Sequence, residues 1–172
     1  MKQLEFEEFY RCGRDVCLRA VLAAVGDRQL AEDLVAEAFA RAWAAWPRVR
    51  RHPAPRAWIV RTALNTRISW WRRRRYEVAL GDGYEAALGD GQDAGATLSG
   101  GPGLDPALLA VLRQLPLRQR EVIALRVFLD LDTATTAKTL GIAPGTVTAH
   151  LARAVSTLRG NLVTLDIPEV GS

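Results

Sequence analysis

The 172 residues are poor in the side chains on which metal and small-molecule chemistry depends. The two histidines, His52 and His150, lie far apart, and neither has a cysteine or second histidine nearby; no metal-ligand set is present. The two cysteines, Cys12 and Cys17, stand five residues apart in a helical pattern. That is neither a Cys-x-x-Cys pair nor a spacing that orients thiols for a bridge, so buried free thiols are expected. No apolar run approaches the ~20 residues that a membrane span requires. Residues 1–8 do not read as a signal peptide. A soluble, cytoplasmic chain with no membrane insertion is expected. One carboxylate pair, Asp33 and Glu37, sits a helical turn apart, but no histidine, third acid or nucleophile accompanies it. No catalytic residue, cofactor or small-molecule substrate follows from such a composition.

Basic residues are missing from one stretch. Residues 76–105 contain no Lys or Arg and six acids, a net charge of −6. Residues 1–75 carry 16 Lys/Arg against 8 Asp/Glu, and residues 106–172 carry 7 against 5, giving +8 and +2. The order is therefore a basic module, an acidic connector and a weakly basic module. Charge of this kind bears on binding and solubility rather than on fold. Eight glycines between Gly81 and Gly103 interrupt any regular element in the connector, apart from a short helix around residues 84–88. It reads as a flexible tether between two helical domains, with the last residues, 161–172, as a tail.

Both flanks have helical period. Residues 6–25 place Phe6, Phe9, Tyr10, Val16, Cys17, Ala20, Val21 and Ala24 on one stripe, which Gly26-Asp27 ends. Asp27 is a candidate N-cap for a second helix over residues 31–46, with Leu30, Leu34, Ala38, Ala42 and Ala45 toward the core. Asp33, Glu37 and the neighbouring Glu32 then form an acidic, partly apolar face suited to a protein partner. Residues 46–55 contain three prolines and are expected to be a stiff basic loop. The loop leads into the most distinctive stretch, residues 55–75. Ile59, Val60, Ala63, Leu64 and Ile68 form its core face; Arg56, Arg61, Asn65 and Arg67 lie opposite; Trp70-Trp71 and Arg72-Arg73-Arg74-Arg75 follow. Arginine neutralises phosphate and indole stacks on an unpaired base, so this combination points to nucleic acid.

In the last third, Asp105-Pro106 starts a helix with Leu108, Leu109, Val111, Leu112 and Leu115. A second helix over residues 118–128 offers Val122, Ile123, Leu125 and Val127 to the core. Residues 132–154 then have the spacing Ala137-x3-Gly141-x5-Val147-x3-Leu151 of a helix-turn-helix. Small Ala137 lets two helices approach, Gly141 permits the turn, Ile142 plugs it, and Val147 and Leu151 pack the second helix back. Thr146, Thr148, Ala149, His150, Ala152 and Arg153 are left for the major groove.

Taken in order, four blocks resemble the extracytoplasmic-function (ECF) sigma factors, the smallest members of the sigma-70 family. Residues 31–43, AEDLVAEAFARAW, resemble the helix of region 2 that binds core polymerase. Residues 55–66, PRAWIVRTALNT, with the tryptophans and arginines after them, resemble the helix that melts and reads the −10 promoter element. Residues 115–122, LPLRQREV, resemble the opening of region 4, and residues 141–147, GIAPGTV, its helix-turn-helix. The Val49-Arg50-Arg51 loop and Ser69-Trp70-Trp71 most resemble the actinobacterial SigE-like subgroup. The resemblance implies an all-α fold of two small helical domains: region 2 over residues 1–75 and region 4 over residues 106–160. It implies docking of Asp33, Leu34, Glu37 and Phe39 on core RNA polymerase. It gives the −10 element to Arg48, Arg50, Arg51, His52, Trp58, Arg61, Asn65, Trp70, Trp71, Arg72, Arg73, Arg74 and Arg75. It gives the −35 element to Arg118, Thr146, Thr148, Ala149, His150 and Arg153. The partners implied are core polymerase and promoter DNA, with a separate anti-sigma protein left open.

The recognition helix departs from the family pattern. Thr148 and His150 stand where Lys or Arg is usual, Ala152 where a bulky residue is usual, and Thr136 at an apolar core position. A weaker or more selective −35 contact follows, with His150 neutral in the groove. The rival reading is a helix-turn-helix regulator that never binds polymerase; it leaves the Trp/Arg helix and the Asp33/Glu37 face unexplained.

Overall fold

The structure, a computed structural model, describes residues 1–80 and 103–165, and every regular element among them is helical. The connector helix expected at residues 84–88 lies outside the described residues. Helix α1, Lys2–Val25, ends where Gly26 adopts φ 78° and its N–H returns to the Leu22 carbonyl at 2.8 Å; only glycine takes this conformation without strain. Asp27 caps α2, Arg28–Ala44, by accepting from the Leu30 N–H at 2.7 Å. The buried stripe of α2 is Ala31, Leu34, Val35, Ala38, Phe39 and Ala42, whereas Leu30 and Ala45 are half-buried.

The stretch expected to be all loop begins with one helical turn, α3, Trp46–Val49. Pro47 falls in its first turn, where no N–H is needed, and the buried Trp46 and Val49 hold the turn down. Phe6 stacks its edge on Trp46 at 5.2 Å and Tyr10 on Phe39 at 4.9 Å, an aromatic layer that joins α1, α2 and α3. Helix α4, Pro55–Ala79, has proline at its first position and runs past the arginines, so the residues from Tyr76 expected as linker begin as helix. Its buried face is Ala57, Ile59, Val60, Ala63, Leu64 and Thr66. Thr66 fits there because its hydroxyl donates to the Thr62 carbonyl at 2.8 Å. Ile68, expected in the core, is 42 % exposed.

The second part contains α5, Pro106–Gln114, capped by Asp105, and α6, Leu117–Ile123, which passes into a π-helical turn, Ala124–Phe128. The wider turn rotates Val127, expected in the core, to 58 % exposure while Leu125 stays fully buried. Asp132 caps α7, Thr133–Leu140, by accepting from the Thr135 N–H at 2.6 Å. That bond to Thr135 holds its carboxyl below the usual aspartate range. Gly141 at φ 68° makes the turn into α8, Pro144–Leu165, and Ala137 and Val147 are buried between the two helices. Residues 161–165, expected as tail, therefore continue α8.

The two parts share a core. The second half of α1 is largely enclosed: Cys17, Leu18 and every residue from Ala20 to Val25 are buried, and Arg19 alone among residues 17–25 is exposed. On one side α1 meets α2 and α4; on the other it meets α5, α6 and the π turn. Ala23 clusters with Leu112, Leu115, Ile123 and Ala154 of the second part. Beyond the helix end, the Arg113 Nε donates to the Gly26 carbonyl at 2.7 Å.

Candidate nucleic-acid interface

Helical spacing puts Trp58, Arg61 and Asn65 on successive turns of one α4 face. Trp58 and Arg61 are half-buried and Asn65 is exposed. The loop before α4 exposes Arg48, Arg50, Arg51 and His52. Two contacts fix it: Arg50 bridges to Glu5 of α1 at 3.0 Å, and the His52 Nδ1 accepts from the Ala54 N–H at 3.0 Å. That bond leaves the His52 Nε2 edge for a ligand. Arg56 belongs elsewhere, its guanidinium donating to the Cys12 carbonyl at 3.2 Å. Further along α4, Trp70 is half-buried against the core, while Trp71 is 48 % exposed beneath the Arg75 guanidinium at 4.3 Å. Arg72, Arg73, Arg74 and Arg75 are all exposed. One helix thus presents an indole, a hydrogen-bonding amide and a cationic end in line.

On α2, Asp33 is exposed and accepts from Gln29 at 3.1 Å; Glu37 is half-buried and paired with Arg41 at 2.8 Å. The two hydrophobic residues expected to dock with them are not available. Leu34 is 0 % and Phe39 3 % exposed, packed inside the first part's core. The helical period that places Asp33 and Glu37 outward sends Leu34 and Phe39 inward.

On α8, Thr146, Thr148 and Arg153 are exposed, with Ala149 and His150 half-buried. The Thr148 hydroxyl donates to the Pro144 carbonyl at 3.2 Å, and the His150 Nδ1 is shielded from solvent with no hydrogen-bond partner. Arg118 stands apart from this group. It pairs with the buried Glu121 at 2.9 Å and faces α4 rather than the α8 surface.

Two clefts separate α4 from the second part. One, of about 430 Å³, has His52, Trp58 and Arg61 on one wall and Thr135, Lys138 and Thr139 of α7 on the other. The smaller, about 240 Å³, lies between Arg61, Asn65 and Ile68 and the residues Leu117, Arg118 and Leu140. Thr135, Lys138 and Thr139 were not singled out in the sequence, because this face of α7 gains meaning only once α4 lies opposite it. Among the described residues, no three His, Cys, Asp or Glu side chains gather as metal ligands, and no helix is long and apolar enough to cross a membrane.

Residues 9–76 match the family described as Sigma-70 region 2, and residues 106–158 match Sigma-70, region 4. The chain is 36 % identical over 165 residues to an RNA polymerase sigma-E factor of Streptomyces coelicolor, covering 95 % of this chain and 89 % of that one. It is 34 % identical to the ECF RNA polymerase sigma factor SigL of Mycobacterium tuberculosis, covering 88 % and 85 %. Among solved structures, the sigma factor RpoE in complex with the anti-sigma factor NepR from Bartonella quintana superposes with a TM-score of 0.72, covering 95 % of this chain and 99 % of that one at 24 % identity. CnrH in complex with the cytosolic domain of CnrY gives 0.61, covering 96 % and 91 % at 21 % identity. The last two comparisons bear on the fold; the regional matches and the sequence relatives carry the assignment. The chain belongs to the sigma-70 family, as an extracytoplasmic-function RNA polymerase sigma factor.

Proposed function

We propose that this chain docks on core RNA polymerase through α2, selects promoters by their −10 and −35 elements and helps separate the strands, without making or breaking a bond itself. Asp33 and Glu37 supply an acidic docking face, with Leu34 and Phe39 setting its angle from within. Arg48, Arg50, Arg51 and His52 lead a strand onto α4. Trp58 stacks a base turned out of the duplex, Asn65 reads its edge by hydrogen bonds, and Arg61 holds the adjoining phosphate. Trp70 and Trp71 extend the platform, and the four arginines from Arg72 to Arg75 bind the continuing backbone. On α8, Thr146, Thr148, Ala149, His150 and Arg153 meet the −35 duplex, and Arg118 joins them at phosphate when it is free of the α4 face. These roles place the work in the cytoplasm and include an anti-sigma protein as a regulatory partner.

The observation that carries the reading is the line of Trp58, Arg61 and Asn65 along one face of α4, with the arginine turn at its end. Binding to core polymerase and to single-stranded DNA tests it by parts. Asp33→Arg is expected to abolish binding to core while keeping DNA binding, and Asn65→Ala to do the reverse. Loss of both functions in both variants, or of neither, contradicts the assignment.

A further inference from the structure

We infer that the cleft between α4 and α7 is a binding site for a free nucleoside phosphate, whose base stacks on Trp58 and whose phosphate lies between Arg61 and Lys138. The ligand is bound and not turned over. A cleft of about 430 Å³ is in the range of sites that take one small molecule. Its walls carry both chemistries that a nucleotide joins, a phosphate and a flat ring.

The anionic half is provided for from two sides. Arg61 comes from α4 and Lys138 from α7, on opposite walls. Among the described residues neither pairs with a carboxylate, and no acid lines the cleft. Two cations facing one small space repel each other; a phosphate between them relieves both and accepts hydrogen bonds from each. The His52 Nδ1 is taken by the Ala54 N–H, so the proton of the neutral ring sits on Nε2, a further donor. The first turn of α4, which gives Ala54 and Ala57 to the wall, has no side-chain cap, and its positive end adds to the same sign.

The flat half is provided for by Trp58, half-buried against the core, with only Pro53, Ala54, Ala57 and Ala134 as apolar neighbours in the cleft. Their side chains are small and leave the indole as the one stacking surface there. On the α7 wall the Thr139 hydroxyl donates to the Thr135 carbonyl at 2.7 Å, which leaves its oxygen to accept from a sugar hydroxyl. The smaller cleft offers neither half as well: Glu121 lines it and no aromatic residue does. Lys138 belongs to the nucleotide site and not to the strand-reading set, whereas Trp58 and Arg61 belong to both. Nucleotide and promoter strand therefore compete. That competition, unlike the binding itself, rests on the role proposed for α4.

The test titrates the full chain with AMP by calorimetry, with adenosine and inorganic phosphate as the separate halves, in unaltered, Trp58→Ala and Lys138→Ala forms. Lys138 is exposed, so its replacement serves if Trp58→Ala does not fold. The expected result is that AMP binds, that either half alone binds about tenfold more weakly or worse, and that each substitution weakens AMP about tenfold. No binding of AMP at millimolar concentration, AMP binding that Lys138→Ala leaves unchanged, or phosphate bound as tightly as AMP overturns the site. Anisotropy of a labelled single-stranded DNA reads the competition. Lys138→Ala should hold the strand as the unaltered chain does, and should need about tenfold more AMP to release it. AMP that binds as expected while the strand is unbound or undisplaced leaves the site standing and overturns the strand's hold on Trp58.

Discussion

The Arg113 Nε lies 2.7 Å from the carbonyl oxygen of Gly26, although the two residues are 87 positions apart in sequence. Gly26 ends α1 and Arg113 lies in the last turn of α5, so this bond closes one helix of region 2 with a side chain of region 4. A cation at a helix C-terminus also meets the negative end of the helix dipole. The bond marks α1 as the element that both regions use.

Buried polar groups give the first stability prediction. Thr136 is 0 % exposed and its hydroxyl has no hydrogen-bond partner. An unsatisfied buried hydroxyl costs about 1–3 kcal/mol, so the near-isosteric Thr136→Val is expected to stabilise the chain by about 1–2 kcal/mol in urea unfolding. A lower midpoint would show that the hydroxyl is satisfied in solution.

Asp130 occupies φ 53° in the link between the π turn and α7. Aspartate tolerates the left-handed region and a β-branched residue does not. Asp130→Val is expected to cost about 1–2 kcal/mol by thermal unfolding, with Asp130→Gly close to neutral. Equal behaviour of the two would contradict the left-handed turn.

Cys17 gives a pH dependence. Burial pushes its thiol up to about 12, with the Arg56 charge opposing. Its ordinary value is 9.0, so the unfolded chain loses this proton first as pH rises. The contribution is therefore full below pH 9.0 and declines toward about 12. Cys17→Ala is expected to flatten the fall in stability across that window. Ellman's reagent at neutral pH should modify only Cys12 in the native chain and both thiols after unfolding, because Cys17 is buried and Cys12 exposed. Rapid native reaction of both would contradict the burial.

The α2 face separates docking from folding. Leu34→Ala removes a fully buried side chain and is expected to cost about 3 kcal/mol of stability. Asp33→Arg, at an exposed position, should leave the unfolding midpoint nearly unchanged while binding to core polymerase is lost. A stable Leu34→Ala chain with selectively lost polymerase binding would return Leu34 to the docking surface.

Much of this was legible from local pattern. Asp27 and Asp105 announced helix starts, Gly26 and Gly141 announced turns, and all four act as such. The spacing of Ala137, Gly141 and Val147 was enough to place the helix-turn-helix. Two misplaced core residues needed information that local pattern does not carry. Val127 turns outward because of a π turn with no local signature, and Ile68 reaches a cleft whose far wall is Leu117 and Leu140. Leu34 and Phe39 were grouped with Asp33 and Glu37 by adjacency, where helical period separates them. Arg118 was assigned to the −35 set by its place in region 4, whereas its pairing with Glu121 turns it toward α4.

Run-off transcription with purified core polymerase over a library of promoter fragments tests the promoter-selecting role most directly. Initiation that depends on this chain, and that fails with Asp33→Arg and with Asn65→Ala, is the expected result; the active fragments would then supply the −10 and −35 sequences. Binding of duplex DNA without any binding to core polymerase or any transcript would contradict it, and would leave a helix-turn-helix regulator in its place.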